Sequence, residues 1–354
     1  MLDSADRINS IDKSGMLDVV SRFPDYIEDS LRLVEDTEMD MDASDIRGIV
    51  ISGMGGSAIS GDIVKEWLRD SVDIPIYVNR DYDLPKWVGR DTLTIFLSYS
   101  GNTEETISSF KEGVERGSLC VAISSGGKLE EECRKRGIPH IKIPSGFQPR
   151  AATAYLLFPT IKILQKIDIL DNYIDKEIKE TIEISKYISE SNRKKTEQSE
   201  CPAESIAKEI KDTLPNIYGW RYYTPIARRW RTQINENSKM IARFDEVPES
   251  NHNDIVGWTE KTEVSLISSC VFLRDKKNEP DKIKERYRFM RETFENAGAK
   301  VLEVDTLGET LLARMVSLMY IGDYVSVYLA ILRGVDPTPV DVISGLKERL
   351  SRIQ

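Results

Sequence analysis

Two polar triplets carry groups suited to moving protons. Asn235-Glu236-Asn237 sets a carboxylate between amides, and Asn251-His252-Asn253 sets an imidazole between amides. A carboxylate can serve as a general base, and an imidazole can both give and accept a proton near neutral pH. Upstream lie two segments of another kind, Gly53-Met54-Gly55-Gly56-Ser57-Ala58 and Ser98-Tyr99-Ser100-Gly101-Asn102-Thr103. Each follows an apolar, β-branched run and opens a helical pattern. Glycines let backbone N–H groups approach an anion, and a helix start attracts one. Ser57, Ser98, Ser100 and Thr103 add neutral hydroxyl donors. With no lysine in either loop, the pair suits the phosphate of a small metabolite, bound through Gly55, Gly56, Ser57, Ser98, Ser100 and Thr103.

Each group has a plainer reading. Gly53-x-Gly55-x-x-Ala58 also fits the dinucleotide fingerprint, with Asp81 as a loose match for its ribose acid. That fingerprint gives no role to the second, hydroxyl-rich loop. A glutamate on a helix is usually solvated. Here the helix is predicted from Pro225 to Arg243, with Ile226, Trp230, Ile234 and Ile241 as its core stripe. Glu236 lies roughly 200° from Ile234 and so faces solvent or a cleft. His140, between Pro139 and Ile141 in a strand pattern, reads as an edge or core residue, whereas His252 sits in a polar loop. Arg150, just after Pro149 at a helix start, opposes the helix dipole unless it serves a developing anion. Its plain alternative is an arginine covering apolar surface.

The elements that must hold these groups alternate. Strands are expected at Gly48–Ser52, Ile74–Asn79, Leu93–Ser98, Leu119–Ser124 and His140–Ile143. Helices are expected at Ala58–Arg69, Glu104–Arg116, Lys128–Lys135 and Ala151–Ile167, after a helical stretch over 6–36. This alternation predicts a parallel, doubly wound α/β sheet with its ligand at the carboxyl ends of the strands. A charged, helical connector (171–213, with Lys194, Lys195 and Glu197) leads to a weaker echo. That echo has strands at Ile217–Trp220, Val264–Leu273 and Lys300–Val304, and helices at Asp281–Asn296 and Glu309–Leu332. Thr224-Pro225 reads as a cap and first-turn pair.

The chain has 354 residues, of which 40% are hydrophobic and 31% charged, enough for two soluble domains. A net charge of −10 argues against a nucleic-acid partner. No long apolar run and no basic-then-apolar N-terminus is apparent, so neither a membrane span nor a secretory signal is expected. The four cysteines lack C-x-x-C spacing and there are only two histidines, so no metal site is expected and a reducing cytoplasm fits.

The order G-M-G-G-S-A, then S-Y-S-G-N-T-E-E-T, resembles the sugar isomerase (SIS) fold. Gly146-Phe147-Gln148-Pro149-Arg150-Ala151-Ala152, Asn235-Glu236-Asn237-Ser238-Lys239 and Asn251-His252-Asn253 narrow this. They resemble the archaeal and bacterial bifunctional phosphoglucose/phosphomannose isomerases, from about residue 45 to the C-terminus. The resemblance implies two SIS-type α/β/α sandwich subdomains with mainly parallel, flavodoxin-like sheets. Residues 1–170 would carry the phosphate loops, and 171–354 the connector and the catalytic groups. It implies a metal- and cofactor-free aldose–ketose isomerase of hexose 6-phosphates. Glu236 would be the base and Arg150 would face the enediolate. His252 would act in ring opening from the neighbouring subunit of a homodimer. Lys347 would lie near the sugar, and Thr338 would help both C2 epimers be accepted. A phosphosugar-sensing SIS module without catalysis is the rival reading, and the two Asn-flanked motifs argue against it. An amidotransferase-type isomerase would need a glutaminase domain for which the chain has no room.

Overall fold

A computed structural model describes residues 5–35, 37–39, 41–42, 44–193, 201–350 and 352. Lys194, Lys195 and Glu197 of the expected connector lie outside the described residues. The chain divides into two compact units. One comprises Arg22–Lys186 and Leu307–Val316; the other comprises Met1–Ser21, Tyr187–Thr306 and Ser317–Gln354.

The first unit is built on β1 (Gly48–Gly53), β2 (Ile76–Asn79), β3 (Thr92–Leu97), β4 (Leu119–Ser124) and β5 (His140–Lys142). They form one sheet in the order β2-β1-β3-β4-β5, with every pairing parallel. β1 and β3 are buried along their whole length, as expected of Ile/Val-rich strands covered on both faces. Strand order reverses between β1 and β3, so a crevice opens beyond their carboxyl ends. Segments 53–58 and 98–103 sit at that crevice.

The second unit carries β6 (Leu214–Trp220), β7 (Arg243–Val247), β8 (Ser268–Arg274) and β9 (Lys300–Asp305). Their order is β7-β6-β8-β9, again all parallel. This is the winding of the first sheet with one edge strand fewer. The expected α/β class with two parallel, flavodoxin-like sheets is therefore what the chain adopts.

Several expectations need correction. The stretch over 6–36 is broken into helices Ala5–Ile11, Met16–Ser21 and Phe23–Glu35. The Asp12 carboxylate accepts the N–H groups of Met16 (2.7 Å) and Leu17 (2.8 Å) at the first break. The strand expected at Val264–Leu273 starts later. Glu263–Leu266 is a helical turn, closed by a capping box between Thr262 and Ser265, and Val264 and Leu266 are exposed. The Glu236 helix is Thr224–Ser238, so Ile241 lies beyond it and is exposed rather than in the core stripe. Thr224 is its first helical residue and does not cap it; Pro225 occupies the first turn.

Contrary to the expectation of no long apolar run, one helix is long and apolar enough to cross a membrane by length and composition. Helix Leu311–Leu332 has a mean hydropathy of 1.6, and 89% of its apolar window is buried within the protein. Three of its tyrosines are buried and hydrogen-bonded. Tyr320 donates to the Val20 carbonyl, Tyr324 to Ser189 Oγ and Tyr328 to the Asn192 carbonyl. It is a core helix. The four cysteines are buried free thiols, with Cys120 in β4 and Cys270 in β8.

Candidate active site

Three loops meet at the carboxyl ends of β1, β3 and β4. The β1 loop enters helix Gly55–Trp67 through Met54, and the β3 loop enters helix Glu104–Glu115 through Thr103. Neither N-cap side chain bonds the first turn, which leaves first-turn N–H groups without side-chain caps. Ser98 Oγ donates to Thr103 Oγ1 (3.0 Å), and Ser100 Oγ accepts from the Asn102 N–H (3.2 Å). In these bonds Thr103 and Ser100 act as acceptors, so each keeps its own proton for a ligand oxygen. Ser57 is buried in the first turn of its helix.

The loops are locked to one another. Gly101 adopts φ +66°, and a Cβ there would lie 1.7 Å from the Gly126 carbonyl oxygen. The Leu129 N–H donates to the Gly101 carbonyl (2.9 Å), and the Lys128 N–H to Asn102 Oδ1 (3.2 Å). Gly56 lets a fourth segment approach, since its Cβ would sit 3.2 Å from both Pro149 O and Arg150 Cα. Arg150 lies in a short 3₁₀ turn, Pro149–Ala151, just ahead of helix Thr153–Lys166, near the helix start where it was expected. It is only 3% exposed, which removes the surface-covering alternative. Tyr99 OH accepts from the Phe147 N–H (2.6 Å) and holds this segment to the β3 loop. The unit thus brings Gly55, Gly56, Ser57, Ser98, Ser100, Thr103 and Arg150 to one crevice. Asp81 is exposed two residues beyond β2 and folds back onto the Tyr82 N–H (2.8 Å).

In the other unit, Glu236 is half-buried in the last turn of helix Thr224–Ser238. The helix is anchored in the two turns that precede Glu236. Trp230 Nε1 donates to the Leu318 carbonyl (2.8 Å), and buried Arg229 makes a two-point pair with Asp323 (3.0 and 2.8 Å). The flanking amides have structural bonds that the sequence did not disclose. Asn237 Nδ2 donates to Ser326 Oγ (2.8 Å), and Asn235 Oδ1 accepts the Ala242 N–H (3.0 Å). Thr338 N donates to Asp336 Oδ1 (3.0 Å), and the neighbouring Pro337 carbonyl accepts from Lys239 Nζ (2.9 Å), so Thr338 lies by the end of the Glu236 helix.

His252 is placed elsewhere. It is exposed in a 3₁₀ turn, Glu249–His252, beyond the carboxyl end of β7. Arg286 holds Asn251 (3.0 Å), and Asp254, accepting from Tyr218 OH (2.8 Å) and Trp258 Nε1 (3.1 Å), anchors the loop behind it. A parallel strand–helix–strand unit sends its helix back down the sheet. Glu236, at the helix end, is therefore near the start of β7, and His252 is past its finish. The strand alone separates them by about 13 Å. One chain does not bring this carboxylate and this imidazole together. Lys347 lies on helix Asp341–Leu350, none of whose residues is buried.

Among the described residues, the carboxyl ends of β6 and β8 carry no counterpart of the first sheet's glycine- and hydroxyl-rich loop pair. The turn Arg221–Tyr223 crosses the end of β6, and buried Tyr223 OH donates to Asp275 Oδ2 (2.6 Å). Asp275 Oδ1 also accepts from Asn278 Nδ2 (2.9 Å). Arg274 is committed to Glu279 and Glu303 (both 2.6 Å). Tyr223 and Asp275 are thus bonded to each other at the carboxyl ends of β6 and β8.

Parallel sheets of this order, with hydroxyl-bearing, glycine-hinged loops at the switch point, define an α/β protein with the SIS-type fold. The fold agrees with that of the C-terminal domain of glucosamine-fructose-6-phosphate aminotransferase from Francisella tularensis (TM-score 0.68, 16% identity, 91% of this chain and 97% of that one). Residues 199–350 match the family described as bacterial phospho-glucose isomerase C-terminal SIS domain. Over 340 residues the chain is 37% identical to a bifunctional phosphoglucose/phosphomannose isomerase of Caldicellulosiruptor bescii, covering 96% of this chain and all of that protein. It is 36% identical to the enzyme of the same description from Aquifex aeolicus, over 88% of this chain and 92% of the relative. The chain belongs to the bifunctional phosphoglucose/phosphomannose isomerase family.

Proposed function

We propose that this protein interconverts glucose 6-phosphate and mannose 6-phosphate with fructose 6-phosphate. Full-length identity of 37% to a relative of that description is the observation that carries the reading. The phosphate is held by the loops of the N-terminal SIS domain (residues 1–170), and the catalytic glutamate and histidine are carried by residues 171–354. Glu236 takes the proton from C2 of the aldose and returns it to C1. The O2 proton moves to O1, so the reaction balances without a redox partner. Arg150 faces the charge that develops on the enediolate oxygens, where a fixed cation contributes more in the transition state than in the ground state. Rotation of the intermediate about C2–C3 lets one carboxylate serve both epimers. Thr338 borders that carbon and Lys347 the sugar.

His252 acts at the ring oxygen of a neighbouring copy in a cytoplasmic homodimer. The length of β7 between Glu236 and His252 supports this assignment. Glu236→Gln and His252→Gln are each expected to lose turnover on both epimers while still binding fructose 6-phosphate. Mixed and reassembled in equal amounts, they should recover about one quarter of parental activity, since half the dimers regain one intact site. Substantial turnover by Glu236→Gln alone would remove it as the base. A folded, dimeric mixture with no recovery would remove the shared site.

A further inference from the structure

Lys239 ends the helix that carries Glu236, and it does so in an unusual way. A helix end leaves its last carbonyls without backbone partners, and glycine in the left-handed region usually closes it. Here the residue in that region, with φ 50°, is a lysine. The backbone turn sends its side chain back beneath the helix end. Lys239 Nζ donates to the Glu236 carbonyl (2.8 Å) and the Asn237 carbonyl (3.3 Å). It also donates to the Pro337 carbonyl (2.9 Å), almost a hundred residues away in sequence. An ammonium has three N–H donors, and three carbonyls receive them. Arg333 Nε takes the next helix carbonyl, that of Ser238 (3.2 Å).

The first two bonds would serve any helix cap. The third makes the lysine a bridge, because Pro337 belongs to the segment that bears Thr338. We propose that Lys239 is a positioning residue that fastens the Glu236 turn to the Thr338 loop, holding both in one register over the sugar. This rests on the reading of Glu236 as the base and of Thr338 as a neighbour of C2. The positive charge also suits a helix carboxyl end, so the bridge stands where an ammonium is favoured.

The test uses the full-length enzyme with Lys239→Met, Lys239→Arg and Lys239→Gly. Glycine suits the left-handed turn but has no ammonium, so it separates backbone relief from the bridge. Lys239→Gly and Lys239→Met are expected to lower kcat at least tenfold on glucose 6-phosphate and mannose 6-phosphate, with KM within twofold. Amide hydrogen exchange should quicken in both 235–241 and 336–340, and Lys239→Arg should recover most of the rate. A Lys239→Gly enzyme with kcat within twofold of the parent overturns the proposal. So does faster exchange confined to 235–241, which would leave only a cap. Activity in Glu236→Gln would instead remove the base while the exchange result stood, so the two failures are distinguishable.

Discussion

Gly101→Ala tests the cradle directly. The residue holds φ +66°, where an alanine costs about 1–2 kcal/mol. Its new methyl would start 1.7 Å from the Gly126 carbonyl oxygen. Carbon and carbonyl oxygen rest at about 3.3 Å or more, so the two loops must part by roughly 1.5 Å. That parting stretches two bonds between them, from Leu129 N to Gly101 O and from Lys128 N to Asn102 Oδ1. At about 1 kcal/mol each, they add about 2 kcal/mol to the backbone cost. Gly137→Ala is the matched control. Gly137 has φ +67° at the end of helix Gly127–Arg136, but a Cβ there meets nothing within 4 Å. The backbone cost is common to both variants, and the loop displacement belongs to Gly101 alone. Expressed in phosphate binding, about 2 kcal/mol is about thirtyfold in KM. Initial rates of fructose 6-phosphate conversion, with KM and kcat separated and thermal unfolding followed in parallel, measure it. The reasoning fails if Gly101→Ala and Gly137→Ala have the same KM, or if Gly101→Ala stays within twofold of the parent.

Ser100→Ala should raise KM more than it lowers kcat, because a phosphate contact is shared by ground and transition states; an unchanged KM counts against the cradle. Asp323→Ala takes the carboxylate from buried Arg229 and Gln233 and should destabilise the fold by about 3–5 kcal/mol. A denaturant titration showing a loss below about 1 kcal/mol would contradict that. His140 Nε2 lies 2.7 Å from Ser124 Oγ, and burial holds the imidazole below its ordinary value. The unfolded chain then binds the proton more readily, so His140's contribution is present above about pH 6.5 and is lost as pH falls through the lower folded value. His140→Gln should flatten the acid-side decline in unfolding free energy, and an unaltered slope between about pH 7 and pH 5 would exclude this.

The first sheet could be read because its strands are buried on both faces and announce themselves as apolar runs, as in Ile49-Val50-Ile51 and Ile95-Phe96-Leu97. β7 escaped notice for the opposite reason. It is an edge strand in which Arg243, Asp245 and Glu246 surround one aromatic residue, so no hydrophobic pattern marks it. The end of the Glu236 helix was extended too far because its stop is a lysine in a glycine-like conformation. Ile241 then looked like another turn of core. The Asn-Glu-Asn triplet was visible, but the bonds of its amides to Ser326 and Ala242 depend on tertiary packing. Thr262-x-x-Ser265 is the local signal that the Val264 turn is helical, set against an apolar run that reads as strand.

At the carboxyl ends of β6 and β8 the second sheet carries a Tyr223–Asp275 hydrogen bond where the first sheet carries its hydroxyl- and glycine-rich loops. Each polypeptide should therefore take up a single equivalent of sugar phosphate. Saturation curves should follow one class of sites, despite a chain built from two similarly wound halves.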